Sequence, residues 1–219
     1  MQGMAKRPLV DPPPVPTPQR SDSQQIVDSI IAAAIELGAD TTLATIADRA
    51  GVGSASLHRY FPTLSSIFAE VSRRMFRMLL SQIRAALADT DRGLHAIAAE
   101  ICRIAFAGSN VPIEYRRRMN LEIPLAWSQG AAESAYKEIL DEVTSWLQRN
   151  LVAPPDDLAH RVFVAFACIR GVVSMSLLYP AHAPVIDTMV QRTTDAVMTI
   201  LVGDTAGTLR TDPTPARQE

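Results

Sequence analysis

Aromatic side chains are scarce in this chain, 5% of 219 residues, and long alternating runs of β-branched residues are missing. Strands draw on both, so a β-rich fold is disfavoured. Cysteine occurs only twice, as Cys102 and Cys168, each inside an apolar helical pattern. No disulfide framework follows from that, and the thiols are those expected of a cytoplasmic protein. Basic charge is not in excess, because the formal net charge is −2. Any claim of nucleic-acid binding must then rest on local residues rather than on an overall field. Behind Lys6 and Arg7 the chain runs into proline with no apolar segment, so no secretion signal is expected. The longest mostly apolar run, VFVAFACIRGVVSMSLLY, is interrupted by Arg170 and reads as a buried helix rather than a membrane span.

What is present favours helix. Alanine, leucine, isoleucine, methionine and arginine dominate, and 47% hydrophobic residues suffice for a real core. The density of proline in PLVDPPPVPTPQR marks residues 1–21 as an irregular arm, and the polar GDTAGTLRTDPTPARQE marks residues 204–219 as a tail. Between them apolar residues recur at three and four. Ile26, Ile30, Ala33, Ala34 and Leu37 form the stripe of a first helix that Gly38 ends. LATIADRA is a short second helix with Thr42 as its N-cap, and a third runs from about Ser54 to Tyr60, stopped by Pro62. Thr63 can cap the next, Leu64 to about Ala88, whose apolar row is Leu64, Ile67, Phe68, Val71, Met75, Met78 and Leu79. Further helices are expected near Leu94–Ala107, Ile113–Trp127, Ala131–Asn150, Asp156–Tyr179 and Ala183–Leu201, with breaks at GSNVP, QG, VAPPDD and YPAHAP.

The stretch RAGVGSASLHRYF admits two readings. A dinucleotide loop needs Gly-x-Gly-x-x-Gly after a strand and before a long helix. Here Ser56 replaces the third glycine, a helix precedes, and Pro62 cuts the following helix within about two turns. A Gly-Lys-Ser/Thr phosphate loop is missing as well. A helix-turn-helix accounts for more residues. It needs a small residue at the closest approach, Ala47, and a positive-φ residue four positions on, Gly51. It also needs apolar residues that lock the pair: Ile46, Ala50, Val52, Leu57 and Phe61.

With those residues in view, TTLATIADRAGVGSASLHRYFPTLSSIFAEV resembles the N-terminal DNA-binding domain of the TetR family of bacterial transcriptional regulators. The family pattern is T-T-x-x-x-I-A-x-x-A-G-V-S-x-x-T-L-Y-x-Y-F-x-S-K-E. The chain keeps Thr41, Thr42, Ile46, Ala47, Ala50, Gly51, Val52, Leu57, Tyr60 and Phe61. It departs at Gly53, where a capping serine is usual and Ser54 is expected to share that role. It departs also at His58, in place of a phosphate-holding tyrosine, and at Leu64, in place of a lysine. The resemblance implies an all-α protein. A helix-turn-helix domain over 22–70 is joined by a long helix to a larger ligand-binding and dimerisation domain over 71–203.

On the third helix, Leu57 and Phe61 face inward, and Ser54, Ala55, Ser56, His58 and Arg59 face outward. Arg59 is the candidate for a bidentate guanine contact, and Ala55 and Ser56 for a thymine methyl or a phosphate. His58, Tyr60 and Thr42 can donate to phosphate oxygens, which positions the helix without reading sequence. Plain roles compete at each position: Tyr60 as core, Arg59 as a solvated charge and, above all, His58 as an uninvolved surface residue. From Asp22 to Asp89 six Arg face seven Asp or Glu, a net of −1, so nonspecific affinity is expected to be modest and salt-sensitive. Lys6, Arg7 and Arg20 in the arm are either minor-groove contacts or bystanders.

Two short helices reach one groove face, so binding is expected as a homodimer on a palindromic operator in double-stranded DNA. The resemblance implies that the last two helices form that dimer, where close approach can offset the cost of Gly171 in mid-helix. It also implies an effector pocket for an unidentified small molecule. Phe106, Met119, Trp127, Phe166 and Met175 are the lining candidates, with Tyr136 or Arg170 as polar anchors. Each can equally be ordinary core. The run Arg116–Arg118 fans around a helix and reads as a solvated face. No cofactor, metal or membrane is expected. Catalysis is disfavoured: His95, His160, Cys102 and Cys168 match no metal spacing or nucleophile elbow. The remaining alternative is a helical adaptor with a degenerate helix-turn-helix.

Overall fold

The computed structural model describes residues 21–89, 91–107, 113, 116–118, 124–203 and 209. Eight helices are defined there: α1 (Ser21–Leu37), α2 (Leu43–Ala50), α3 (Ser54–Tyr60), α4 (Leu64–Ala88), α5 (Leu94–Ala107), α6 (Leu125–Asn150), α7 (Leu158–Leu178) and α8 (Ile186–Val202). Among the described residues the sole β feature is an isolated bridge between Leu151 and Leu209. The proline-rich arm, the tail beyond 209 and Met119 lie outside the described residues. The chain divides into two compact units, Met1–Arg74 with Leu121–Glu133, and Met75–Asn120 with Ser134–Glu219. Two of the three junctions, 74/75 and 133/134, fall inside helices, α4 and α6.

In the first unit α1 packs on α2 and α2 on α3. The α1 stripe buries Val27, Ile30, Ile31, Ala33 and Ala34, and Gly38 ends the helix at φ 79° with its N–H on the Ala34 carbonyl. Ile46, Leu57, Phe61, Ile67 and Phe68 are fully buried. Trp127 stacks on Phe68 with ring centroids 5.9 Å apart. The N-terminus of α4 is closed by a reciprocal cap. Thr63 Oγ1 accepts from the Ser66 N–H at 3.1 Å, and Ser66 Oγ accepts from the Thr63 N–H at 3.3 Å. Farther along, Glu70 accepts from Arg73 and Arg74, and Arg74 also reaches Asp28 on α1 at 2.6 Å.

The second unit buries one continuous cluster, from Leu80, Ile83 and Leu87 of α4 through Cys102, Leu147 and Leu151 to Val173 and Leu201. Here α8 packs on α7 and on α5. Arg84 spans from α4 to Glu138 and Glu142 of α6 at 3.1 and 3.0 Å.

Three expectations are corrected. The QG break is not a break: α6 runs through Gly130 from Leu125 to Asn150. A helical glycine costs only about 1 kcal/mol, which the alanines and glutamates around it outweigh. On α4, Met78 is 43% exposed, and Phe76 and Leu80 are buried instead, because a row spaced at three and four drifts around so long a cylinder. Finally, α7 is not simply buried. Leu158, Val162, Ala165, Ile169, Val173 and Leu177 face the core. Phe163, Val164, Met175 and Leu178 form an exposed apolar stripe on the other side. This is the one described helix long and apolar enough to cross a membrane. Its buried face belongs to the core of the second unit.

Candidate nucleic-acid interface and ligand cavity

The corner between α2 and α3 is built by backbone geometry. Thr42 caps α2, its Oγ1 accepting from the Thr45 N–H at 3.1 Å. At the other end Gly51 adopts φ 65°, ψ 31°. Its N–H donates to the Asp48 carbonyl at 3.2 Å, and the Val52 N–H donates to the Ala47 carbonyl at 3.0 Å. This is the Schellman arrangement, which needs a left-handed residue at that one position. Gly53 is different. It caps α3 in extended geometry, φ −67°, with no side-chain hydrogen bond, and the cap expected from Ser54 does not form because Ser54 is already the first helical residue.

The two glycines therefore predict opposite outcomes. A side chain at either meets nothing within 4 Å, so backbone preference decides. Gly51→Ala is expected to destabilise by about 1 kcal/mol, through strain at positive φ. Gly53→Ser is expected to stabilise by roughly 0.5–1 kcal/mol, through a new cap and a stiffer unfolded chain. Chemical denaturation of the two variants checks this, and shifts of the same sign would contradict it.

Along α3, Ser54, Ala55, His58 and Arg59 are exposed, Ser56 is half-buried, and Leu57 and Tyr60 are buried. Tyr60 is 8% exposed and belongs to the core. The arginines of the first 89 residues that the structure describes are mostly committed. Arg49 pairs with Glu36, Arg73 with Glu70, Arg74 with Asp28 and Glu70, and Arg84 with Glu138 and Glu142; Arg77 also has a partner. Arg59 meets no acidic group among the described residues. Its guanidinium lies 5.8 Å from the centroid of the neighbouring Tyr60 ring. The charge balance therefore conceals a spatial separation: acidic residues hold Arg49, Arg73, Arg74 and Arg84, while Arg59 stands on the outer face of α3.

The second unit contains a cavity of about 160 Å³ walled by α4, α5, α6, α7 and α8. Tyr136, Phe166 and Arg170, expected as ligand contacts, line it together. The Tyr136 ring meets Phe76 and Phe166 edge-on at 5.3 and 5.1 Å, and the Arg170 guanidinium lies 5.3 Å from its centroid. The other candidates do not join them. Phe106 is buried in the core beside the cavity without lining it. Trp127 sits in the first unit against Phe68. Met175 is 55% exposed and borders an open groove between α7 and α8. A helical period says which side of a helix is apolar, not which neighbour it meets, so these placements were beyond it.

The cavity also has a residue that spacing did not single out. Arg116 is half-buried rather than solvated, and its guanidinium donates to the carbonyls of Phe106 and, at 2.9 Å, Ala105 at the end of α5. Burial lowers its pKa. Consecutive arginines offer no sequence signal for which one turns inward.

Burial raises the pKa of the Tyr136 phenol, partly offset by the nearby Arg170, and burial likewise raises that of the Cys102 thiol, partly offset by a hydrogen bond with Thr194. Both groups are held protonated in the folded chain, whereas the unfolded chain ionises at the ordinary values of 9.0 for the thiol and 10.0 for the phenol. Stability is thus complete below about pH 9 and lost as pH rises beyond it. A melting series from pH 7 to 11 is expected to fall above pH 9, and Tyr136→Phe to soften the fall above pH 10. An identical profile in the variant would contradict the assignment.

A Schellman corner, two short helices and an outward second helix with an unpaired arginine define a helix-turn-helix domain. Residues 26–71 match the family model of the bacterial regulatory proteins, tetR family. Solved structures agree on the fold. SmeT, described as the repressor of the Stenotrophomonas maltophilia multidrug efflux pump SmeDEF, is 22% identical, with 90% of this chain and 98% of that chain covered at a TM-score of 0.63. NalD, the secondary repressor of the MexAB-OprM multidrug efflux pump in Pseudomonas aeruginosa, is 20% identical, covering 84% and 100% at 0.63. LfrR from Mycobacterium smegmatis, solved with proflavine, is 16% identical, covering 84% and 99% at 0.52. No protein of curated function matches the chain.

Proposed function

We propose that this protein is a sequence-specific DNA-binding transcriptional repressor, a homodimer in the cytoplasm that leaves its operator when a small molecule binds. The observation that carries the DNA-binding reading is Arg59, exposed on α3 and without the acidic partner that holds its neighbours. A guanidinium in that position is free to read guanine in the major groove. Ser54, Ala55, Ser56 and His58 stand beside it, and the hydroxyls of Thr42 and Tyr60 are phosphate donors.

Dimerisation is supported by α7. Phe163 at 59%, Met175 at 55% and Tyr179 at 51% exposure make an apolar surface that water does not favour. A Cβ at Gly171, within this stripe, would meet no described residue within 4 Å, so the close approach expected there is not made among the described residues of the chain. A partner helix supplies it. Two recognition helices then address half-sites about 34–36 Å apart.

Release is supported by the cavity and by α4. The helix is continuous from Leu64 to Ala88, and Phe76, Leu79, Ile83 and Leu87 on it line the cavity. A ligand that prefers one placement of these residues biases α4, and through it the spacing of the α3 helices. By linkage, DNA weakens ligand binding by the same factor. SmeT, solved with triclosan, and LfrR, solved with proflavine, are the precedents for a small molecule on this fold.

The test is selection from a random duplex pool by the purified protein. An enriched inverted repeat is expected. A pool that stays unenriched at low salt would overturn the repressor reading in favour of an adaptor.

A further inference from the structure

We infer that the molecule admitted by the cavity is an amphipathic organic anion, an aryl or alkyl carboxylate whose head group is taken by Arg170. The inference rests on the reading of this cavity as the effector site and names the class of ligand that fits it.

The walls supply an apolar body site. Ile83, Ile97, Ile139, Leu140 and Val173 surround the space with Phe166, and its size of about 160 Å³ compares with a roughly 150 Å³ apolar cavity that accepts benzene. A single ring or a medium alkyl chain is the matching scale. Charge decides the head group. Among the described residues, two arginines, Arg116 and Arg170, line the cavity and no aspartate or glutamate does. Their roles differ. Arg116 spends donors on the carbonyls of Ala105 and Phe106, which closes the end of α5. Arg170 has no acidic partner among the described residues, and its guanidinium lies against the face of Tyr136, 5.3 Å from the ring centroid. That ring is itself braced by Phe76 and Phe166. The guanidinium is therefore held in place while its donors stay open.

A half-buried arginine flanked by the buried Ile169 and Val173 has lost part of its hydration without gaining a counter-charge. Such a group is stabilised by whatever anion arrives, and a planar fork fits a carboxylate through two parallel hydrogen bonds. The same pair of positive charges disfavours a lipophilic cation of equal size. The cavity thus selects by charge where its walls select only by bulk.

The experiment titrates the full-length protein, without DNA, with octanoate, octanamide and octylamine by calorimetry. These share a chain and differ in head-group charge. Octanoate is expected to bind at least about tenfold more tightly than octanamide, with octylamine weakest, on the scale of one hydrogen-bonded charge pair. Arg170→Met is expected to bring octanoate down to the octanamide level, and Arg170→Lys to retain part of the preference. Melting curves establish that the variants fold, and the wild-type series stands by itself if they do not. Equal affinity for the three compounds, or a preference for octanoate that survives Arg170→Met, would overturn the anion assignment and leave the cavity as a neutral ligand site. Binding of none of the three would overturn the effector reading as well. The DNA-binding reading is untouched by either result, because no DNA is present.

Discussion

Gly171→Arg is expected to turn the protein into a monomer while leaving each protomer folded. No described residue lies within 4 Å of a Cβ placed there, so the protomer accommodates it. Removing glycine from a helix interior is expected to raise protomer stability by roughly 0.5–1 kcal/mol. The arginine would, however, stand in the exposed stripe of Phe163, Val164, Met175 and Leu178, where the proposed partner helix approaches. A long charged side chain in a desolvated apolar contact opposes association strongly. Operator affinity is expected to fall by about 100-fold or more, since two linked recognition helices gain an effective concentration that one lacks. Analytical ultracentrifugation beside a DNA titration checks both parts. A variant that remains dimeric would place the interface elsewhere.

Phe61→Ala is expected to have the largest effect on stability, about 3–5 kcal/mol for a fully buried phenylalanine. Phe61 closes α3, its N–H on the Leu57 carbonyl at 2.8 Å, and its ring is fully buried among the residues of the first unit. Total stabilities of 5–15 kcal/mol leave little margin for such a loss. The helix-turn-helix would be largely unfolded at growth temperature and DNA binding lost with it. Calorimetry should show the lower of two transitions shifting or vanishing while the other stays. A loss under 1 kcal/mol would mean that the ring is not part of that core.

The corner was legible in the sequence because its causes are local. A left-handed glycine, a threonine cap and a proline stop act within a few residues, and each stands where the spacing placed it: Gly51, Thr42 and Pro62. The break assigned to Gly130 failed for the opposite reason, since a weak local penalty was outweighed by good helix formers on both sides. On α7 the period could not say which face is inside, because both faces are apolar. The cavity was legible only in part. Arg170 stood out as a charge in an apolar helix, and Tyr136 and Phe166 do meet it. The distant positions of Trp127 and Met175, and the inward turn of Arg116, depend on tertiary packing that no periodicity encodes.

The central claim is that α3 reads DNA through Arg59. The most direct measurement is fluorescence anisotropy of the full-length protein on the inverted repeat recovered by selection, at 50 and 200 mM salt, with Arg59→Ala alongside. Tight binding that weakens steeply with salt is expected, with an affinity roughly 10–100-fold lower for the variant, the scale of one bidentate base contact. Equal affinities for wild type and Arg59→Ala, or binding no tighter than that of an acidic control protein, would contradict it.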